Sequence, residues 1–234
     1  MANNDIQLAV IDMAGTTVAD DGLVVQAFEA AATAAGLRPS GEERERARRY
    51  VLDTMGQSKI AVFRALFETE ELAQRANLAF EQAYDELIDT GNARPIPGAA
   101  DAITALRQAG VKVALTTGFS AATQDKLLAA LGWQSLADLT LAPGDGIRGR
   151  PYPDLILTTL MRLQVDGVGN VAALGDTSSD IHSALRAGCT VAAGTLTGAH
   201  NAAQLRDAGA THIVSTVTEF ADLITPNRAT GRYS

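Results

Sequence analysis

The chain has 234 residues, of which 47% are hydrophobic and 20% charged, a composition typical of a folded globular protein and not of a disordered or fibrous one. Its formal net charge of −8 argues against broad nucleic-acid binding, because no positive field attracts a phosphate backbone. No apolar run reaches membrane-spanning length and the first residues lack a secretory signal pattern, so we expect a cytoplasmic protein with no membrane span.

The first predicted strand covers residues 7–11, and a long helical interval follows it. Four segments in this interval carry apolar residues at helical spacing, residues 24–35, 42–52, 58–67 and 70–88. The Pro-Ile-Pro-Gly stretch at residues 95–98 then marks a stiff return of the chain. We therefore predict an α-helical cap over residues 20–93, inserted into a core built from residues 1–19 and 94–234.

The rest of the chain alternates between strand and helix patterns. Short apolar runs predict strands over residues 111–116, 171–174, 190–193 and 212–214. Segments with helical spacing lie at residues 99–109, 121–131, 153–163, 178–187 and 202–208. Alternation of this kind is typical of parallel βαβ units, in which helices cover both faces of the sheet. The predicted fold class is therefore α/β, with a doubly wound parallel sheet.

Polar residues follow three of the predicted strands. Asp12 follows the first, Thr117 and Gly118 follow the second, and Asp176 and Asp180 follow the third. In open parallel sheets the ligand site lies beyond the carboxyl ends of the strands. Helices start soon after the second and third of these strands, and the free N–H groups at helix N-termini bind anions. These positions together predict a phosphate-binding site.

Asp12 is predicted to be a nucleophile towards phosphorus, with a divalent cation and nearby donors holding the group for in-line attack. Asp176 would supply that cation with a second carboxylate, and Ala14 with its backbone carbonyl. Oxygen ligands of this kind suit Mg²⁺, which keeps several waters. The alternative for either aspartate alone is that it ends a strand or caps a helix. The joint position of the two at the ends of parallel strands favours a functional site.

Arg150 lies in a Gly-Arg-Pro-Tyr-Pro loop just before a predicted helix. A phosphoryl-transfer site needs a fixed cation near its nucleophile to offset the charges of carboxylate and phosphate. No lysine follows Lys126 in the chain, which makes Arg150 the candidate for this role. The alternative is a loop arginine exposed to solvent.

Lys59 belongs to a cap segment that, if it is helical over residues 55–66, forms an apolar arc with Lys59 near its middle. The apolar members of this arc are Met55, Val62, Phe63 and Leu66. Two interpretations remain open. Either the lysine stem lies along apolar surface while its ammonium reaches water, or the amine is desolvated, has a lowered pKa and adds to a carbonyl as a neutral nucleophile.

Five motifs taken together resemble the haloacid dehalogenase superfamily and, within it, the phosphonatase family. They are DMAGT at residues 12–16, MGQSK at 55–59, TTG at 116–118, GRPYP at 149–153 and GDTSSD at 175–180. The resemblance implies a haloacid dehalogenase core with an inserted helical cap. It also implies a Mg²⁺-dependent hydrolase that cleaves the carbon–phosphorus bond of a small carbonyl phosphonate such as phosphonoacetaldehyde.

Phosphatases of this superfamily carry a second aspartate where this chain has Ala14, and they use it to protonate a leaving alkoxide. Phosphonatases instead break a bond to carbon, and they form a Schiff base between a cap lysine and the substrate aldehyde. The iminium accepts the electrons as an aspartate attacks phosphorus, which leaves an enamine and an aspartyl phosphate. Ala14 and Lys59 therefore make chemical sense as a pair.

The resemblance implies a role for each matched residue. Catalytic roles fall to Asp12, Lys59, Arg150 and Thr117. Substrate contacts fall to Thr16, Met55, Gly56, Gly118 and Phe119. The Mg²⁺ ligands would be Asp12, the Ala14 carbonyl and Asp176, supported by Asp180. The implied partners are a small phosphonate or phosphate substrate and a second copy of the chain, which would form a homodimer through the cap.

Three positions depart from the phosphonatase pattern, since Val62 replaces a histidine, Phe119 a tyrosine and Leu23 a cysteine. The missing polar groups would help proton transfer around a Schiff base. The main alternative is therefore a phosphate-ester phosphatase in which Lys59 only binds the anionic end of the substrate. A haloacid dehalogenase needs no metal and would leave the later aspartates underused. A non-catalytic ligand-binding relative would not need the full set of Asp12, Arg150 and those aspartates.

Overall fold

A computed structural model describes residues 6–225 and confirms the predicted α/β class. Within that range, six strands form one parallel sheet in the order β3-β2-β1-β4-β5-β6. The strands are β1 (Leu8–Asp12), β2 (Lys112–Thr116), β3 (Leu139–Leu141), β4 (Val171–Gly175), β5 (Val191–Thr195) and β6 (His212–Val214). All residues of β1, β4 and β5 are buried, as continuous apolar runs covered on both faces require.

Strand β1 lies at the point where the strand order reverses, with β2 on one side and β4 on the other. Asp12 is its last residue and pairs in register with Thr116, the last residue of β2. Crevices form beyond the carboxyl ends of strands at such a reversal, and ligands bind there. The topology therefore places Asp12 at the mouth of a natural binding crevice.

Six helices pack on the two faces of the sheet. They are α5 (Ala99–Gln108), α6 (Ala121–Leu131), α7 (Asp154–Arg162), α8 (Ser178–Ala187), α9 (Ala202–Asp207) and α10 (Val217–Ile224). One apolar cluster includes Ile103, Leu127 and Phe220, and a second, on the other side of the strands, includes Ile156 and Ala184. The sheet is therefore doubly wound. No helix within residues 6–225 is long and apolar enough to cross a bilayer.

Four helices lie between β1 and α5, namely α1 (Leu23–Ala34), α2 (Glu42–Asp53), α3 (Lys59–Leu66) and α4 (Glu70–Asp89). Their aromatic side chains pack together, with ring centroids 6.5 Å apart for Phe28 and Phe63 and 5.9 Å apart for Phe63 and Phe80. The chain leaves and re-enters the core at one point, where Ala19 donates its N–H to the Arg94 carbonyl at 2.9 Å.

The structure differs from the prediction in three elements. Strand β3 and helix α10 were not predicted, and helix α3 starts later than the helical arc over residues 55–66. β3 has only three residues, two of them half-buried, so it carries no clear strand pattern. Helix α3 begins at Lys59 and not at Met55, because Gly56 adopts a φ of +82° that interrupts the helix before it. Lys59 therefore lies at the start of a helix and not within a helical arc.

We expect Phe28→Ala to lower the free energy of unfolding by about 3–5 kcal/mol, because it removes a fully buried ring from the cap. Leu78→Ala, at a position in α4 that is 56% exposed, should change it by less than about 0.5 kcal/mol. Urea denaturation followed by circular dichroism measures both. Equal losses in the two variants would show that the aromatic cluster does not stabilise the cap.

Candidate active site

A cavity of about 390 Å³ lies between the cap helices and the carboxyl ends of β1, β2 and β4. All of the predicted site residues line it except Thr16 and Asp180. Those that line it are Asp12, Ala14, Met55, Gly56, Lys59, Thr117, Gly118, Phe119, Arg150 and Asp176. Residues far apart in the sequence therefore meet at one place, with contributions from both the core and the cap.

Arg150 is buried, which excludes the alternative of a solvent-exposed loop arginine. Its guanidinium lies 2.6 Å from Asp12 Oδ1 through Nη1 and 2.9 Å from Asp180 Oδ1 through Nε. It also donates to Thr116 Oγ1 at 2.8 Å and to the Gly56 carbonyl at 3.3 Å. One cation thus joins the first two strands, the start of α8 and the cap.

Asp12 is only 5% exposed. Burial raises the pKa of its carboxyl well above the ordinary value, while the charge of Arg150 lowers it and the charges of Asp180 and Asp176 raise it. The carboxylate form is therefore held by Arg150 against desolvation and repulsion. A second cation near this position would favour the ionised, nucleophilic form further.

Asp176 follows β4 and turns both carboxylate oxygens towards donors. Oδ2 accepts from the Ala199 N–H at 2.7 Å, and Oδ1 accepts from the Thr16 hydroxyl at 3.2 Å. Burial raises the pKa of Asp176 to about 7, the charge of Asp180 adds to this effect, and the two hydrogen bonds oppose it. Thr16, predicted to contact substrate, is fully buried and supports Asp176 instead.

Asp180 does not line the cavity, although it was predicted to belong to the metal site. Its Oδ2 accepts from the backbone N–H and the hydroxyl of Thr177, forming a capping box at the start of α8. Its Oδ1 is paired with Arg150. Both carboxylate oxygens of Asp180 therefore have partners within the protein, one of which is the guanidinium of Arg150, and its support of a metal site stays a prediction.

The cavity residues at the ends of β1 and β4 fit a magnesium ion. Asp12 and Asp176 are buried carboxylates; burial raises the pKa of both and the charge of Asp176 raises that of Asp12 further, so a divalent cation would offset their charge. No three His, Cys, Asp or Glu side chains of residues 6–225 converge as a ligand set. An ion here would therefore rely on two carboxylates, the Ala14 carbonyl and water, a ligand set that Mg²⁺ accepts.

Lys59 is the first residue of α3, and its side chain points into the cavity. Nζ lies 5.4 Å from the ring centroid of Phe119 and 5.8 Å from that of Phe80. Burial lowers the pKa of Lys59 to about 8, while the charges of Asp20 and Asp12 raise it. The desolvated interpretation of this lysine therefore fits the structure better than a lysine whose ammonium reaches bulk water.

The segment that carries Lys59 is held against the core by backbone contacts. The backbone N–H of Lys59 donates to the Gly118 carbonyl at 3.2 Å. A Cβ added at Gly118 would lie 2.5 Å from the Gln57 carbonyl oxygen, and one at Gly149 would lie 2.7 Å from Ser58 Cβ. We call this contact between residues 55–59 and the loops at 118 and 149 the glycine seam. Only glycine at these two core positions allows so close an approach.

Several residues at the cavity were not predicted from the sequence. Asp20 and the loop of residues 197–199 line it, and Thr116 binds Arg150. The loop follows β5, so its position at the same edge of the sheet was the available signal. Asp20 carries no motif of its own.

Replacing Arg150 by methionine should lower the free energy of unfolding at neutral pH by about 3–5 kcal/mol, because Asp12 and Asp180 would be left buried without their cation. The matched control is Arg148→Met in the same loop. Arg148 pairs with Asp154, but its side chain is 59% exposed. This control should lose less than about 1 kcal/mol. Equal losses, measured by urea denaturation, would contradict a central role for the buried cation.

Comparison with known proteins identifies relatives over most of the chain. Phosphonoacetaldehyde hydrolase from Bacillus cereus is 30% identical over 203 residues, which cover 78% of this chain and 73% of the relative. The crystal structure of a phosphonoacetaldehyde hydrolase like protein from Oleispira antarctica superposes with a TM-score of 0.81 at 21% identity and covers 95% of this chain and 92% of its own. A predicted phosphatase from Clostridium acetobutylicum superposes with a TM-score of 0.78 at 17% identity, covering 94% and 98%.

The two structural likenesses show a shared fold. The family model described as haloacid dehalogenase-like hydrolase matches residues 6–188. This range contains β1, the four helices that follow it and the sheet as far as α8. The chain therefore belongs to the haloacid dehalogenase-like hydrolase family.

Proposed function

We propose that this hydrolase is a Mg²⁺-dependent phosphonatase that cleaves the carbon–phosphorus bond of a small carbonyl phosphonate such as phosphonoacetaldehyde. The observation that carries the proposal is a desolvated amine, Lys59, facing the same cavity as Asp12 in a site where Ala14 replaces a carboxylic acid. The relatives named phosphonoacetaldehyde hydrolase, about 30% identical, support it.

At the phosphorus end, Asp12 attacks phosphorus in line and becomes an aspartyl phosphate. Arg150 keeps Asp12 ionised and offsets the charge of the transferring group, and Thr117 and Gly118 line its path. Asp12, the Ala14 carbonyl and Asp176 would hold Mg²⁺, which supplies further neutralisation of phosphoryl charge when bound.

At the carbonyl end, the neutral amine of Lys59 adds to the substrate carbonyl and water leaves, which gives an iminium. The electron pair of the breaking carbon–phosphorus bond moves into this iminium as Asp12 attacks, so that the carbon fragment leaves as an enamine. Met55 and Phe119 line this part of the cavity and limit access of water to the intermediates. A carbon leaving group of this kind needs no acid at position 14.

A phosphate-ester phosphatase is the second candidate, and one observation favours it. Val62 and Phe119, where a phosphonatase has histidine and tyrosine, are buried apolar side chains and supply no proton donor beside Lys59. In that case Lys59 would only bind the anionic end of the ester. Fast hydrolysis of sugar phosphates with slow cleavage of phosphonates would favour this function. The homodimer through the cap stays a prediction.

Lys59→Arg tests the Schiff base. We expect it to keep the fold and the positive charge but to abolish phosphate release from phosphonoacetaldehyde, because a guanidinium cannot form the iminium. Borohydride added during turnover should inactivate the unchanged enzyme and leave a reduced adduct on Lys59, located by mass spectrometry. Lys126→Arg, at a half-buried lysine outside the cavity that pairs with Asp89, is the matched control and should retain full activity. Full activity of Lys59→Arg would rule out Schiff-base chemistry.

The rate of adduct formation should depend on pH through the lowered pKa of Lys59, about 8. The free amine is the reactive form, so the rate rises with pH and levels off above this pKa. About a tenth of the molecules carry a free amine at pH 7 and about nine tenths at pH 9, which corresponds to about a tenfold rise. Borohydride trapping at a series of pH values measures it, and a flat profile between pH 7 and 9 would contradict the assignment.

A further inference from the structure

Formation of a Schiff base requires proton transfers that the phosphorus end of the site does not provide. A proton must leave the Lys59 ammonium, and another must reach the carbonyl oxygen before it departs as water. The amine lies 5.4 Å and 5.8 Å from the ring centroids of Phe119 and Phe80, which carry no titratable group. A titratable group on the cap side of the cavity is therefore needed.

Asp20 is such a group. It lies in the connection between β1 and α1, is half-buried and lines the cavity together with Lys59. Its Oδ1 accepts the Val24 N–H at 3.1 Å, which fixes the carboxylate at the start of α1. Burial raises the pKa of Asp20 from its ordinary value, and the hydrogen bond and the charge of Lys59 oppose that shift. A carboxyl shifted in this direction exchanges protons more readily near neutral pH.

The position of Asp20 relative to Lys59 suits proton exchange across a substrate. Its charge has the largest effect of any carboxylate on the pKa of Lys59, ahead of that of Asp12. Both residues belong to the described chain, and yet no ion pair joins them directly, whereas Arg150 and Asp12 do form one. The two groups therefore line one cavity and interact through their charges without a direct ion pair.

The other carboxylates that line the cavity have different partners. Asp12 is paired with Arg150, and Asp176 accepts from Thr16 and Ala199. Asp21 is exposed and pairs with Arg94 at 2.7 Å. Asp20 and Asp176 are both oriented by a backbone N–H and have no ion pair among residues 6–225. Asp176 follows β4 and belongs with Asp12 to the proposed magnesium site, which leaves Asp20 as the carboxylate for the carbonyl end.

We propose that Asp20 is the general acid–base group of the carbonyl end, an inference that rests on the proposed phosphonatase function. The Asp20 carboxylate takes a proton from the Lys59 ammonium. The amine then forms a bond to the carbonyl carbon, and a proton passes from nitrogen to oxygen, which gives a carbinolamine. Asp20 returns its proton to the hydroxyl, which leaves as water while the nitrogen lone pair forms the iminium. Asp20 ends as a carboxylate, and the net change is one water released.

Asp20→Asn tests this role, because the asparagine oxygen can still accept the Val24 N–H while the side chain can no longer carry a proton. The measurement is the rate of borohydride-trapped adduct on Lys59 with phosphonoacetaldehyde at pH 7.5. We expect a fall of about a hundredfold. Asp101→Asn, at an exposed aspartate of α5 outside the cavity, is the control and should leave the rate unchanged. Asp20→Glu restores a carboxyl group and should recover part of the rate.

The direction of the change separates acid–base catalysis from a purely electrostatic effect. Removing the charge of Asp20 lowers the pKa of Lys59 further and increases the free amine, so an electrostatic neighbour alone would leave adduct formation equal or faster. An equal or faster rate in Asp20→Asn would overturn the inference and leave the proposed function standing. Absence of any adduct in the unchanged enzyme would overturn both.

Discussion

The ion pairs of one buried guanidinium, that of Arg150, are the interaction on which the rest of this structure depends. Asp12 and Asp176 lie at the ends of β1 and β4, where burial raises the pKa of both carboxyls, and Asp180 lies beside them at the start of α8. Arg150 binds Asp12 and Asp180 directly and also donates to the Gly56 carbonyl of the cap. The same cation therefore stabilises the sheet edge, favours the ionised form of Asp12 and ties the cap to the core.

The site divides its chemistry between two parts of the fold. The sheet edge supplies the carboxylates and the guanidinium, which the proposed reaction places at phosphorus, and the cap supplies the amine of Lys59, which it places at the carbonyl group. Burial acts on both with opposite sign, since it raises the pKa of Asp12 and Asp176 and lowers that of Lys59. Both shifts bring the pKa values closer to neutral pH. A single physical cause, burial between the cap and the core, thus shifts the pKa values of the two carboxyls and of the amine.

Much of this arrangement follows from the sequence, for identifiable reasons. Buried parallel strands form unbroken apolar runs, and a polar residue directly after such a run, as at Asp12, must lie at the binding edge. The edge strand β3 was too short to show a pattern. The positive φ of Gly56 makes α3 begin at Lys59, and the spacing of apolar residues over 55–66 gave no sign of this break. The pairing of Asp180 with Arg150 and the position of Asp20 depend on how loops from distant parts of the chain pack together. No residue spacing specifies such contacts.

The glycine seam holds the start of α3, and with it Lys59, against the core through contacts that involve the backbone of both segments. Such contacts do not depend on the identity of the side chains elsewhere on the cap. Cap side chains that line the cavity outside the seam, such as Val24 and Val25, can therefore be replaced without moving the backbone that carries Lys59. In the proposed reaction the backbone would then fix the place of the amine, and these side chains would set the size of the substrate that fits.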